Sequence, residues 1–166
     1  MNIVDITEVG QELLDVLGQY HNPPDREMLI DAALFAYLRG RFESIERQHY
    51  VYVYGSTRPR RIDFRQGGTN PIVLEFAVRP PTGGPQLYGS QNATELRKLC
   101  RVSRTQARLR ALLLLDLYHT ATAEDGLRDS YLSINAGRGR FERHSVRVIY
   151  VHASMTYDFS WDPYRA

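Results

Sequence analysis

An α/β domain with a mixed central sheet flanked by helices is what three features of this chain predict. Two stretches of helical periodicity occupy the first forty residues, three β-rich segments separated by turn residues follow, and the mostly apolar segment 109–117 has the character of a covered central strand. With 166 residues, 43% of them hydrophobic and 24% charged, one core is expected, so a single domain spans 1–166.

Ile3, Ile6, Val9, Leu13, Leu14, Val16 and Leu17 recur at helical spacing until His21, Asn22, Pro23 and Pro24 stop the pattern, and residues 1–22 read as an N-terminal helical arm. Asp25 is the expected N-cap of a second helix, in which Leu29, Ala33, Ala36, Tyr37 and Leu38 mark a packed helix running to about Arg39. The period then changes to two. Residues 49–54 are rich in β-formers and end at Gly55 and Ser56, residues 61–65 make a second strand, and the turn at 66–70 returns residues 72–78 as a third. A proline- and glycine-rich loop at 80–85 ends this meander. Asn92 or Thr94 starts a helix expected to run through Ser103, before the apolar strand at 109–117. A polar helix at 123–134, a turn at 136–139 and a strand at 146–152 complete the order α-α-β-β-β-α-β-α-β. Residues 25–152 are thus the core and 153–166 a tail, whose Tyr157, Phe159, Trp161 and Tyr164 are expected to dock on the core or on a neighbouring subunit.

The charge balance of 21 basic against 19 acidic residues excludes recognition of nucleic acid by overall charge alone, so any basic surface must come from local clusters. Cys100 is the single cysteine, which forms no internal disulfide and fits a reducing cytoplasm. The longest apolar run, residues 111–115, is far below the roughly 20 residues that cross a bilayer, so a soluble protein with no membrane partner is expected.

Two acids stand out because each sits inside an otherwise apolar strand. Asp63 lies in Arg60-Arg61-Ile62-Asp63-Phe64 and Glu75 in Ile72-Val73-Leu74-Glu75-Phe76-Ala77-Val78, one hairpin apart. An acid in such a place is costly unless it is paired or holds a metal. Alternation puts Ile62 and Phe64 opposite Asp63, and Leu74, Phe76 and Val78 opposite Glu75 and Ala77, so the two acids share one face. Ion pairs account for them as well: Asp63 with the arginines before it, and Glu75 across the hairpin with Arg61 or Arg65.

A helix, a three-strand meander, a helix and a strand, with aspartate on the second strand and glutamate on the third, resembles the PD-(D/E)XK nuclease superfamily and its restriction-endonuclease-like α-β-β-β-α-β core. The resemblance covers residues 25–118, and extends toward 152. It implies that Asp63 and Glu75, with a strand carbonyl such as that of Phe76, hold Mg²⁺ or Mn²⁺ for phosphodiester hydrolysis, assisted by a first-helix acid, Glu27, with Asp31 one turn later. The family's lysine, two residues after the glutamate, is Ala77 here. Because the family relocates this lysine, sometimes to the following helix, Lys98 is a candidate substitute; so is Arg79, on the face of Glu75 and Ala77, although its guanidinium makes a poor base. Among the arginines, Arg58, Arg60 and Arg61 form one cluster, Arg97, Arg101, Arg104, Arg108 and Arg110 a second, and Arg138, Arg140 and Arg143 a third. Arg58, Arg60, Arg101, Arg104, Arg138 and Arg140 are the candidate phosphate contacts, and Arg97, Arg101, Arg104 and Arg108 would align if their helix continued.

Other chemistries find less support. The five histidines show no metal-ligand spacing, no glycine-rich phosphate loop is present, and Cys100 has no histidine beside it in sequence. Three functions remain: a metal-dependent nuclease acting on DNA; a catalytically silent member of that fold that binds DNA or serves in a homo-oligomer or larger complex; or a small protein-interaction or immunity-type protein whose Tyr50, Tyr52 and Tyr54 contact a partner.

Overall fold

In the computed structural model residues 1–19 and 27–164 are described, without the side chains of Glu27 and Met28. The described chain is α/β, with four helices and a six-stranded open mixed sheet in the order β1-β2-β3-β4-β5-β6. β1 (Ile45–Val51), β2 (Arg60–Gln66) and β3 (Ile72–Arg79) form an antiparallel meander. β4 (Leu109–Asp116) and β5 (Val146–His152) run parallel to β3, and β6 (Met155–Trp161) returns antiparallel to β5. The parallel pairs need crossovers, which α3 (Gly89–Leu99) and α4 (Glu124–Leu132) supply on one face. α1 (Ile3–Gly18) and α2 (Glu27–Arg41) cover the other.

α1 starts at a capping box: Asn2 accepts the Asp5 N–H at 3.1 Å, and Asp5 accepts the Asn2 N–H at 2.5 Å. Its periodic residues Ile6, Val9, Leu13 and Leu17 are buried over β4 and β5. Gly10 permits the approach, since a Cβ there would stand 3.1 Å from Val151 Cγ2. β4, hydrogen-bonded on both sides and covered on both faces, is the central strand that its apolar stretch at 111–115 predicts, with Arg110 and Asp116 also buried at its ends.

The structure moves several expected boundaries. β1 begins earlier and ends at Val51, and Tyr50 and Tyr52 are more than 60% exposed. α3 spans Gly89–Leu99 and stops before Cys100, whose N–H still bonds to Leu96 O, so the arginine stripe from Arg97 to Arg108 is not one helical face. Residues 155–161 of the expected tail form β6, with Phe159 and Trp161 buried and the Trp161 indole N–H donating to Ile134 O at 3.2 Å. The N-cap expected at Asp25 lies outside the described residues. Among the described residues no helix is long and apolar enough to cross a membrane.

Candidate active site where two strands part

β2 and β3 pair only at Gln66–Ile72, Arg65–Val73 and Phe64–Leu74. Past Phe64, β2 stays beside β1 to the Arg60–Val51 pair, while β3 stays beside β4 to the Arg79–Asp116 pair. The two strands therefore part at Asp63 and Glu75. Backbone groups exposed by the parting need other partners, and side chains supply them: Phe76 N–H donates to Asp63 Oδ2 at 3.2 Å, and Lys98 Nζ donates to Arg61 O at 2.8 Å.

Phe64, Leu74, Phe76 and Val78 belong to the layer beneath α1 and α2, so alternation turns Asp63, Glu75 and Ala77 toward α3. α3 presents Gln91, Glu95 and Lys98 at spacings of four and three, which sets them along one helical face. The two sets of side chains enclose a cleft of about 400 Å³. Within it the Lys98 ammonium touches both Glu75 Oε1 and Glu95 Oε2. Glu75 is 2% exposed, and its Oε1 meets that charge without a well-aligned hydrogen bond.

The electrostatics follow from burial and crowding. Burial first, and then the hydrogen bond and charge of Asp63, push the Glu75 carboxyl well above the usual glutamate range, while Lys98 opposes the shift without cancelling it. Burial works against the Lys98 ammonium, but Glu75 and Glu95 outweigh it and hold its pKa above the ordinary lysine value. Lys98 thus stays protonated at neutral pH and acts as a cation. The donor set suits a hard cation: Asp63 and Glu75 offer adjacent carboxyls, and Mg²⁺ is commonly held by one or two carboxylates plus substrate oxygens. Among the described residues no group of three or more His, Cys, Asp and Glu side chains is arranged to hold a metal.

Asp63, Glu75 and Lys98, from three different elements, are thus brought together. The cross-hairpin pairing of Glu75 is not seen: its cation is Lys98, and Arg65 stands 3.6 Å from Glu46 instead. Arg79 does not line the cleft. It is buried, with Nε donating to Asp116 Oδ1 at 2.7 Å and Nη2 donating to Thr120 O at 2.8 Å. Tyr150 adds its hydroxyl to Asp116 at 2.5 Å, so Arg79 belongs to a lock joining β3, β4 and β5. Asp31 is held by Arg47 at 2.8 Å in the layer beneath α2, on the face opposite Glu75, and the side chain of Glu27 lies outside the described residues.

Beside the acidic cleft, and sharing Arg61 and Lys98 with it, runs a groove of about 490 Å³ that Arg60, Arg97 and Arg101 also line. Arg97 and Arg101 donate to Asn135 O and Ala136 O at 3.0 and 2.9 Å and so tether the start of the loop carrying Arg138 and Arg140. Phe141 in that loop lies under Arg101 and Arg143, with guanidinium carbons 4.6 and 5.0 Å from its ring centre. Gly139, at φ 124°, makes room for it, because a Cβ there would fall 1.9 Å from Phe141 Cε1. Arg58 lies on the exposed loop before β2, while Arg104 stands apart, 3.5 Å from Glu142.

Asn92, expected only as a helix start, also lines the cleft, as do Glu95 and Gln91, which no strand or motif in the sequence marks. The legible signal was their spacing to Lys98: once Lys98 is a candidate, residues three and seven positions before it share its helical face. Cys100 is buried and its thiol is pushed up to about 11 by burial, which leaves it inert as a nucleophile. No family model, no curated protein and no solved structure matches this chain.

Proposed function

We propose that this protein is a Mg²⁺-dependent phosphodiesterase of the PD-(D/E)XK kind acting on nucleic acid, with DNA as its substrate. One observation carries the reading: Asp63 and Glu75 line one cleft at the parting of β2 and β3, with Lys98 on Glu75 and an arginine-lined groove alongside. Asp63 and Glu75 would hold the metal. When bound, Mg²⁺ neutralises charge on the phosphoryl oxygens and makes its coordinated water more acidic. Lys98, kept protonated by Glu75 and Glu95, supplies positive charge where the pentavalent phosphorus gains negative charge, the part that Ala77 leaves vacant. Glu95 positions Lys98 from one turn away on α3. Arg60, Arg61, Arg97 and Arg101 bind backbone phosphates on one side of the cleft and fix the strand's register without reading its sequence.

The ion contact of Lys98 with both Glu75 and Glu95 favours a second reading, a catalytically silent nucleic-acid-binding subunit whose carboxylates are neutralised internally. Plasmid and single-stranded DNA incubated with the protein in Mg²⁺ or Mn²⁺ separate the two. The nuclease reading expects cleavage that Asp63→Ala and Glu75→Ala each abolish. Salt-sensitive binding with no cleavage in either metal supports the silent subunit, and no binding at all refutes both.

A further inference from the structure

A second basic site lies apart from the cleft and shares no lining residue with it. At the start of β4, a cavity of about 500 Å³ is lined by Arg104, Arg108, Arg110, Arg143, His144 and Asp162. Arg110 is its floor. The side chain is 5% exposed, and its Nε donates to Val102 O at 2.8 Å, while Nη2 is buried with no hydrogen-bond partner among the described residues. Arg143 adds to the deficit: Nη2 donates to Gly137 O and Gly139 O at 2.9 and 2.8 Å, yet its buried Nε also finds no hydrogen-bond partner among the described residues. Negative charge is scarce around them. Glu142 is divided among Arg104 at 3.5 Å, His144 at 3.4 Å and the Tyr54 hydroxyl at 3.2 Å, and Asp162 accepts the Tyr164 N–H at 3.0 Å.

A buried guanidinium with no carboxylate in contact among the described residues is expensive, and the strain appears in Arg110 itself, whose pKa falls to about 10 through burial and then through the charge of Arg104, with Glu142 opposing the fall only in part. An oxyanion would relieve it. Donors come from β4, from the segment before it and from residues 143–144, so they converge from several directions. A planar carboxylate is satisfied by a single guanidinium fork, whereas a tetrahedral phosphate directs its oxygens out of one plane toward several donors, and a phosphate monoester or inorganic phosphate adds a third free oxygen and up to two charges.

We propose that Arg110, Arg143, Arg104 and Arg108 form a phosphoryl-binding pocket, separate from the carboxylate cleft, that takes the phosphate of a nucleic acid or free inorganic phosphate. This assignment stands on the pocket's own geometry and does not rest on the nuclease reading. Inorganic phosphate is titrated into the full chain by calorimetry at constant ionic strength, with chloride as the control. Saturable binding is expected, weakened at least tenfold in Arg110→Met and in the Arg104→Ala/Arg108→Ala double variant, and retained in Lys98→Met, which removes the cleft's cation. The double variant alters exposed side chains, so it carries the test if Arg110→Met does not fold. Absence of saturable phosphate binding, or undiminished affinity in the folded Arg110→Met and Arg104→Ala/Arg108→Ala variants, overturns the pocket, and loss of binding in Lys98→Met alone would assign the phosphate to the cleft and overturn it equally. Competition identifies the source once binding is established. Displacement by a 5′-phosphorylated oligonucleotide but not its 5′-hydroxyl counterpart assigns a terminal phosphate, displacement by both a backbone phosphate, and by neither the free ion.

Discussion

Lys98→Met should expose how tightly the cleft is coupled. The substitution keeps the length and apolar stem of the side chain, removes the charge beside Glu75 and Glu95, and leaves the Arg61 carbonyl without its donor. Removing one member of a buried ion pair costs about 3–5 kcal/mol. Lys98 is 17% exposed and Glu75 has the alternative of binding a proton, so the low end, ~3 kcal/mol near neutral pH, is expected. The pH dependence has a definite sign. The folded-state pKa of Glu75 is raised, so native protein keeps a proton that the unfolded chain loses above the ordinary glutamate range, and stability falls as pH rises toward the raised value. Taking away Lys98 raises that value further and widens the window, so the variant's deficit should be larger at a pH above the unaltered protein's raised value than at pH 4.5. Urea unfolding at both pH values, with Glu75→Gln and the double variant completing a cycle, measures it. In the Glu75→Gln background the same change should cost about 1 kcal/mol, the contribution of the hydrogen bond to Arg61 O. A deficit independent of pH, or costs that add without coupling, would refute this account of the cleft.

The lock at the ends of the central strands offers an independent check. Asp116→Asn leaves the buried Arg79 guanidinium without its charge partner and should cost about 3–5 kcal/mol in urea unfolding, whereas Tyr150→Phe removes one hydrogen bond to that carboxylate and should cost about 1–2 kcal/mol. Equal effects of the two would show that the charge of Asp116 is unimportant.

Where burial follows a regular period, the sequence foretold the fold. Ile6, Val9, Leu13 and Leu17 on α1, and the apolar stretch of β4, owe their legibility to one continuous buried face and to burial on both faces. The bounds of β1 are hidden in the sequence because it is an edge strand: Glu46, Gln48 and Tyr50 face water, and β-forming residues continue past its end to Tyr54. β6 carries alternation in Tyr157, Phe159 and Trp161, yet its short distance from β5 and its polar intervening residues made it read as a tail. The end of α3 bears no glycine or proline, so the break at Cys100 and the dispersal of the arginine stripe are tertiary effects. In the cleft, Asp63 and Glu75 were legible because an acid in an apolar strand is conspicuous. Glu95 was not, being an ordinary helical acid until α3 docks. Arg79 looked available by strand alternation alone, and only the position of Asp116 on the neighbouring strand shows that it is engaged.

The most direct test of the carboxylate site is calorimetric titration of Mg²⁺ into the full chain near neutral pH, in two buffers of different ionisation enthalpy. Because Glu75 holds its proton unusually well, cation binding at Asp63 and Glu75 should release protons, giving heats that differ between the buffers. In Glu75→Gln both the binding and the buffer dependence should be lost. Mg²⁺ affinity in Glu75→Gln equal to that of the unaltered protein, or no binding by the unaltered protein at millimolar Mg²⁺, would contradict the assignment of this pair as a metal site.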